Sequence, residues 1–176
     1  MIHKLCAALA LWLCLGPATG AHAQVKVDET SLMTRLLGLN RLSATDAVGY
    51  FVYHGYTAYK TAEPAGTYTR EVFTCTKDKD DRHTHAYLLF TIRDGGVTGS
   101  GYTTPNNAEY RQALKTARQM GFVRGATLAK NNVTRVSYTK GKMHLTAQAA
   151  SFANRTTYLL VLNYVTKQPV PDLAEH

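Results

Sequence analysis

The sequence predicts an α+β fold: a leading helix, then two tandem copies of a helix followed by three antiparallel strands, the helices packed on one face of the sheet. Three observations predict it. Capped amphipathic segments end at Gly55 and again at Gly121, and stretches rich in β-branched and aromatic residues alternate with period two. In addition, T-R-E-V-F-T-C-T-K at 69–77 is echoed by T-R-V-S-Y-T-K-G-K at 134–142. The echo extends from Gly55-Tyr56 to Gly121-Phe122 and from Tyr87-Leu88-Leu89 to Tyr158-Leu159-Leu160. An internal duplication over about 43–104 and 105–166 follows.

Residues 1–23 read as a cleaved secretory signal peptide. Lys4 is a short basic start, 5–15 is an apolar run too short to span a bilayer, and Ala21-His22-Ala23 is a small-x-small cleavage site. That places the protein in the periplasm or outside the cell, with 24–166 as a single domain and 167–176, broken by Pro169 and Pro171, as a flexible tail. Cys6 and Cys14 leave with the signal. Cys75 alone remains, so the mature chain must stand on its hydrophobic core without an intramolecular disulfide.

In chain order, 28–39 places Leu32, Met33, Leu36 and Leu37 at helical spacing, with Gly38 and Asn40 as a stop. Ser43 with Asp46 resembles a capping box, and Ala47, Val48, Phe51 and Val52 form the stripe of the helix that Gly55 ends. Residues 57–66, with Pro64 and Gly66, read as a connection. Strands follow at 67–76, 84–93 and 97–103, the last two joined at Asp94-Gly95-Gly96. Asn106 caps a third helix with the stripe Tyr110, Ala113, Leu114 and Ala117. Strands at 134–140, 143–150 and 157–165 complete the second copy. This order resembles that of tandem helix-plus-sheet modules such as the β-lactamase inhibitory proteins. The resemblance, which carries no matched motif, implies an open sheet face that engages another protein.

With its turn centred on Asp80, the 67–93 hairpin sets Cys75 opposite His85 and Phe73 opposite Tyr87 on one face. Val72, Thr74, Ala86, Leu88, Phe90 and Ile92 occupy the other face, which is more uniformly apolar and is expected to meet the helices. The face left outside then carries Phe73, His85, Tyr87 and Leu89, and in the second copy Tyr138 and Tyr158. Such an aromatic surface suggests partner binding or self-association.

The charge is lopsided. Residues 24–104 carry nine Lys/Arg and nine Asp/Glu, whereas 105–176 carry ten against three. Arg111, Lys115 and Arg118 recur at i, i+4 and i+7 opposite the apolar stripe of the third helix, a basic ridge suited to an acidic protein or an anionic envelope surface. Nothing in the chain signals nucleic-acid binding or a transmembrane segment. No assembled catalytic set and no cofactor motif are present, so the leading reading is a secreted or periplasmic, non-enzymatic binding protein whose partner is a protein or peptide.

Two alternatives stand beside it. Cys75 with His85 could form a nucleophilic dyad of a hydrolase, or with His83 and His144 hold a metal, although no orienting acid and no signature spacing accompany them. A small-ligand carrier with a cavity between helices and sheet is the other. Asp78, Asp80 and Asp81 lack the glycine and distal glutamate of a calcium loop. Tyr50, Tyr53, Tyr56 and Tyr59 step by three as a stacking candidate, and Asn132 and Asn154 open glycosylation triplets that matter only in a eukaryotic host.

Overall fold

The computed structural model describes residues 27–65, 68–77, 85–92, 97–153 and 155–164. The expected signal peptide, the expected turns at Asp80 and at Asp94-Gly95-Gly96, His83, Asn154 and the expected tail lie outside these residues.

Local chemistry sets the helix ends. Ser31 caps α1 (Leu32–Leu39) in a capping box with Thr34, and Met33, Leu36 and Leu39 are its buried face. Ser43 caps α2 (Ala44–Tyr53) by accepting from the Asp46 N–H, and its buried residues are Ala47 and Phe51, while Val52 is exposed. Asn106 Oδ1 accepts from the N–H groups of Ala108 and Glu109 at the start of α3 (Asn107–Gln119). Gly55 and Gly121 follow α2 and α3 with φ of 78° and 89°, a left-handed conformation that a Cβ would strain.

The expected architecture needs correction. Each half carries four strands rather than three, and all eight form one antiparallel sheet in which strand residues outnumber those of the three short helices more than two to one. The first half supplies β1 (Thr57–Ala65), β2 (Tyr68–Thr76), β3 (Ala86–Ile92) and β4 (Val97–Thr104). The second supplies β5 (Val123–Lys130), β6 (Val133–Lys140), β7 (Met143–Phe152) and β8 (Arg155–Tyr164). Their order is β1-β2-β3-β4-β8-β7-β6-β5, so the two meanders meet where β4 pairs with β8. The two strands that the pattern misses are the two edges. At an edge Pro64 is tolerated inside β1, because its missing N–H is not required by a second neighbour. Every residue of β5 is exposed, so no buried face imprints an alternation on its sequence.

Register fixes the two faces. One row crosses the whole sheet as Lys60, Phe73, Leu89, Ser100, Leu162, Leu145, Tyr138 and Arg124, apolar in the middle and cationic at both ends. Its centre lies beneath the helices: Leu89, Leu145 and Leu162 are fully buried in the same cluster as Met33, Leu36, Phe51 and Ala117. Asn40, ending α1, donates to Ser100 Oγ (3.1 Å) and to the Leu162 carbonyl (3.2 Å), while Ser100 Oγ donates to the Leu36 carbonyl (2.9 Å). These bonds tie α1 to the junction of the two meanders.

On the opposite face Val72, Phe90 and Val161 form a second, smaller cluster that no helix joins. Glycine explains their burial. Phe90 is the cross-strand partner of Gly99 and Leu88 that of Gly101, and a Cβ on Gly101 would stand 2.9 Å from the Leu160 carbonyl. Large neighbours therefore close over strand positions that have no side chain of their own.

Candidate interaction surfaces

The hairpin register differs from expectation by two residues. Cys75 faces Tyr87 rather than His85, and Phe73 faces Leu89 rather than Tyr87. A shift of two preserves the faces, so the grouping of Phe73, Cys75, Tyr87 and Leu89 stands. The side on which that group lies is reversed. Tyr87 (4% exposed), Leu89 (0%) and Tyr138 (2%) are core residues that offer no surface for a partner or for self-association, and Phe73 packs partly buried against that core.

Aromatic area and hydroxyl chemistry account for the reversal. The Tyr87 ring lies 4.8 Å from Phe51 of α2, 5.8 Å from Tyr56 and 4.7 Å from Tyr102. Each such ring removes far more area from water than a valine or threonine, so the richer aromatic face gains most from being covered. The hydroxyls are met there as well: Arg35 of α1 donates to Tyr87 Oη, and its guanidinium lies 5.5 Å from the ring centre. Burial pushes the Tyr87 phenol up to about 12, with the Arg35 charge opposing the rise. Tyr158 is half-buried and stacks on Tyr110 of α3 at 4.6 Å. It lies on β8, the fourth strand of its half, whereas Tyr87 lies on the third, so the two are not equivalent positions.

The cysteine chemistry is not assembled. Cys75 is fully buried, and burial pushes its thiol up to about 12, which keeps it protonated and unreactive. His144 pairs with Thr139 and Asn163 on the opposite sheet face, and no cluster of three or more metal-ligating side chains occurs among the described residues. His85 is exposed and joins a polar cluster that sequence reasoning missed. Its Nδ1 lies 3.3 Å from Tyr102 Oη, and the Tyr102 hydroxyl donates to both carboxylate oxygens of Glu109 (3.2 and 3.3 Å). Thr104 Oγ1 donates to Glu109 at 2.8 Å and accepts the Asn106 N–H at 3.0 Å. The carboxylate thus sits in the first turn of α3, at the positive end of the helix, and is held from β4 on one side. This arrangement anchors α3; it presents no nucleophile.

Among the expected stacking tyrosines, Tyr56 packs on Phe51, Tyr50 donates to Glu29 and contacts the His54 ring, and Tyr53 stands exposed with its ring edge against His54. Asn132 lies in the exposed β5–β6 turn.

The basic ridge is on the surface. Arg111, Lys115 and Arg118 are exposed on α3, and none pairs with an acid among the described residues. Arg124, Lys130, Lys140, Lys142 and Arg155 add further exposed cations from the strands and turns. Against these, the described part of the second half contains one acid, Glu109, which Tyr102 and Thr104 already engage. No family model, curated protein or solved structure matches this chain. No helix among the described residues is long and apolar enough to cross a membrane.

The same half has a second feature. Lys130, Asn131, Asn132, Thr134 and Ser151 line an open cleft of about 370 Å³ at the tip of the β5–β6 hairpin.

Proposed function

We propose that the protein is a non-enzymatic binding protein, secreted or periplasmic, that recognises an acidic protein or peptide through its cationic second half. One observation carries this reading: eight exposed cations on α3 and on the strands and turns from β5 to β8 face solvent, while the one described acid there is hydrogen-bonded into the anchor of α3. A surface of one sign raises the encounter rate with partners of the other sign and disfavours like-charged ones. The buried, protonated Cys75 and the exposed His85 on a different neighbour set supply no opposing catalytic arrangement.

The test is partner capture from native extracellular or periplasmic extract with the wild type and with the triple variant Arg111→Glu, Lys115→Glu and Arg118→Glu. Capture of an acidic protein that weakens with rising salt and is lost in the variant supports the reading. Equal capture by both proteins, or a partner with no acidic surface, refutes it.

A further inference from the structure

Resting on the cationic second half as the binding half, we propose that β5 is a docking edge to which an extended acidic segment of a partner protein adds as a further strand. β5 is the terminal strand of the sheet, pairs only with β6 among the described residues, and is exposed along its whole length.

The turn determines which backbone groups are free. Asn131 and Asn132, with φ of 49° and 63°, form a two-residue connection between Lys130 and Val133. In such a hairpin the flanking residues are the hydrogen-bonded pair, and bonded and non-bonded pairs alternate along the ladder. Lys130 and Leu128 therefore direct their N–H and C=O groups to β6, and Thr127 and Ala129 direct theirs outward. A partner strand finds two donors and two acceptors there, the geometry of strand addition. A bulge between Arg124 and Thr127 confines regular pairing to 127–130, so the segment that docks is short.

Charge selects the occupant. β5 carries Arg124 and Lys130 and no acid. A second copy of the same strand would bring four cations and no acid to one edge pairing, and like charges brought together destabilise a ladder. The bulge sets Arg124 on the face of Tyr138, and Lys130 with Leu128 on the other, so a strand with Asp or Glu at alternate positions lays its acidic row beside Lys130. Leu128, 65% exposed, offers it an apolar contact, and the cleft beside Lys130 gives room for a carboxylate at the hairpin tip. The other edge of the sheet lacks this character: β1 contains Pro64, which has no donor, and its Lys60 is paired with Glu71 at 2.7 Å.

The probe is an acetylated, amidated octapeptide of alternating Val and Glu, titrated into the isotope-labelled full chain and followed by amide resonances. Saturable binding with the largest shifts at Thr127 and Ala129 is expected. Ala129→Pro, which removes an outward donor while sparing the bonds to β6, should weaken binding at least about tenfold. The same octapeptide N-methylated at alternate amides should lose binding to the wild type, which decides the matter even where the proline variant fails to fold. A Val/Lys octapeptide should not bind. Undiminished binding of the N-methylated peptide, or no binding of the Val/Glu peptide, overturns strand addition at β5. Neither result touches the capture experiment with the α3 variant, so failure of the edge and failure of the acidic-partner reading remain separable.

Discussion

Each half of the sheet has a helix followed by four strands, and the two halves differ in how far they are covered from water. In the first, α1 and α2 bring Arg35 and Phe51 onto a layer of Tyr56, Tyr87 and Tyr102, and the hydroxyls of Tyr87 and Tyr102 find partners inside the molecule. In the second, α3 covers the sheet with Ala113, Leu114 and Ala117, and the last strand stays outside that cover. Helix cover thus decides how far each half of the sheet is enclosed. The aromatic residues Tyr87, Tyr102 and Tyr138 lie within the enclosed part. Among the described residues, the exposed cations are concentrated on the second half.

That contrast can be broken by mutation. The largest effect belongs to the aromatic layer: Phe51→Ala should destabilise by about 3–5 kcal/mol, and Leu114→Ala, whose side chain is less completely enclosed, by nearer 2 kcal/mol, both measured by urea unfolding. If the two substitutions cost the same, the first half does not carry the denser core. Alkaline pH probes the same layer. The folded phenol of Tyr87 is raised above its ordinary value near 10 to about 12, so above pH 10 the unfolded chain loses the proton first. Stability is fully present below pH 10 and falls as the pH rises towards 12, by on the order of 2 kcal/mol for Tyr87 alone. Flat stability from pH 9 to 11.5 would remove the buried tyrosine layer.

Smaller effects test where the halves agree. Gly55→Ala and Gly121→Ala should each cost about 1–2 kcal/mol, because both glycines hold positive φ after a helix. Unequal losses would show that the two helix ends are not comparable. Smallest of all, Leu128→Ala on β5 should change stability by less than about 0.5 kcal/mol while weakening partner capture.

Much of this was legible from residue pattern. Ser43, Asn106, Gly55 and Gly121 mark helix ends by local hydrogen bonding and backbone freedom, which the sequence states directly. The strands 67–76, 97–103 and 134–140 were legible because each has a buried face. β1 and β5 were not, since an edge strand lacks either full burial or a second hydrogen-bonded neighbour, and so escapes the constraints that write alternation into sequence. Alternation also sorted Phe73, Tyr87 and Leu89 onto one face without saying which face the helices cover. That choice depended on long-range partners: Arg35 for a tyrosine hydroxyl, Phe51 for a ring, and Gly99 and Gly101 letting Phe90 and Val161 be buried with no helix above them. The cluster of His85, Tyr102, Thr104 and Glu109 joins β4, α3 and the residue just before β3, and has no spacing signature at all.

Amide hydrogen exchange on the free protein tests the division between the halves most directly. The amides of Tyr87 and Leu89 should exchange only through global unfolding, and those of Thr127 and Ala129 at rates close to an unprotected chain. Comparable protection at Thr127 and Tyr87 would contradict an interior first half and an open second edge.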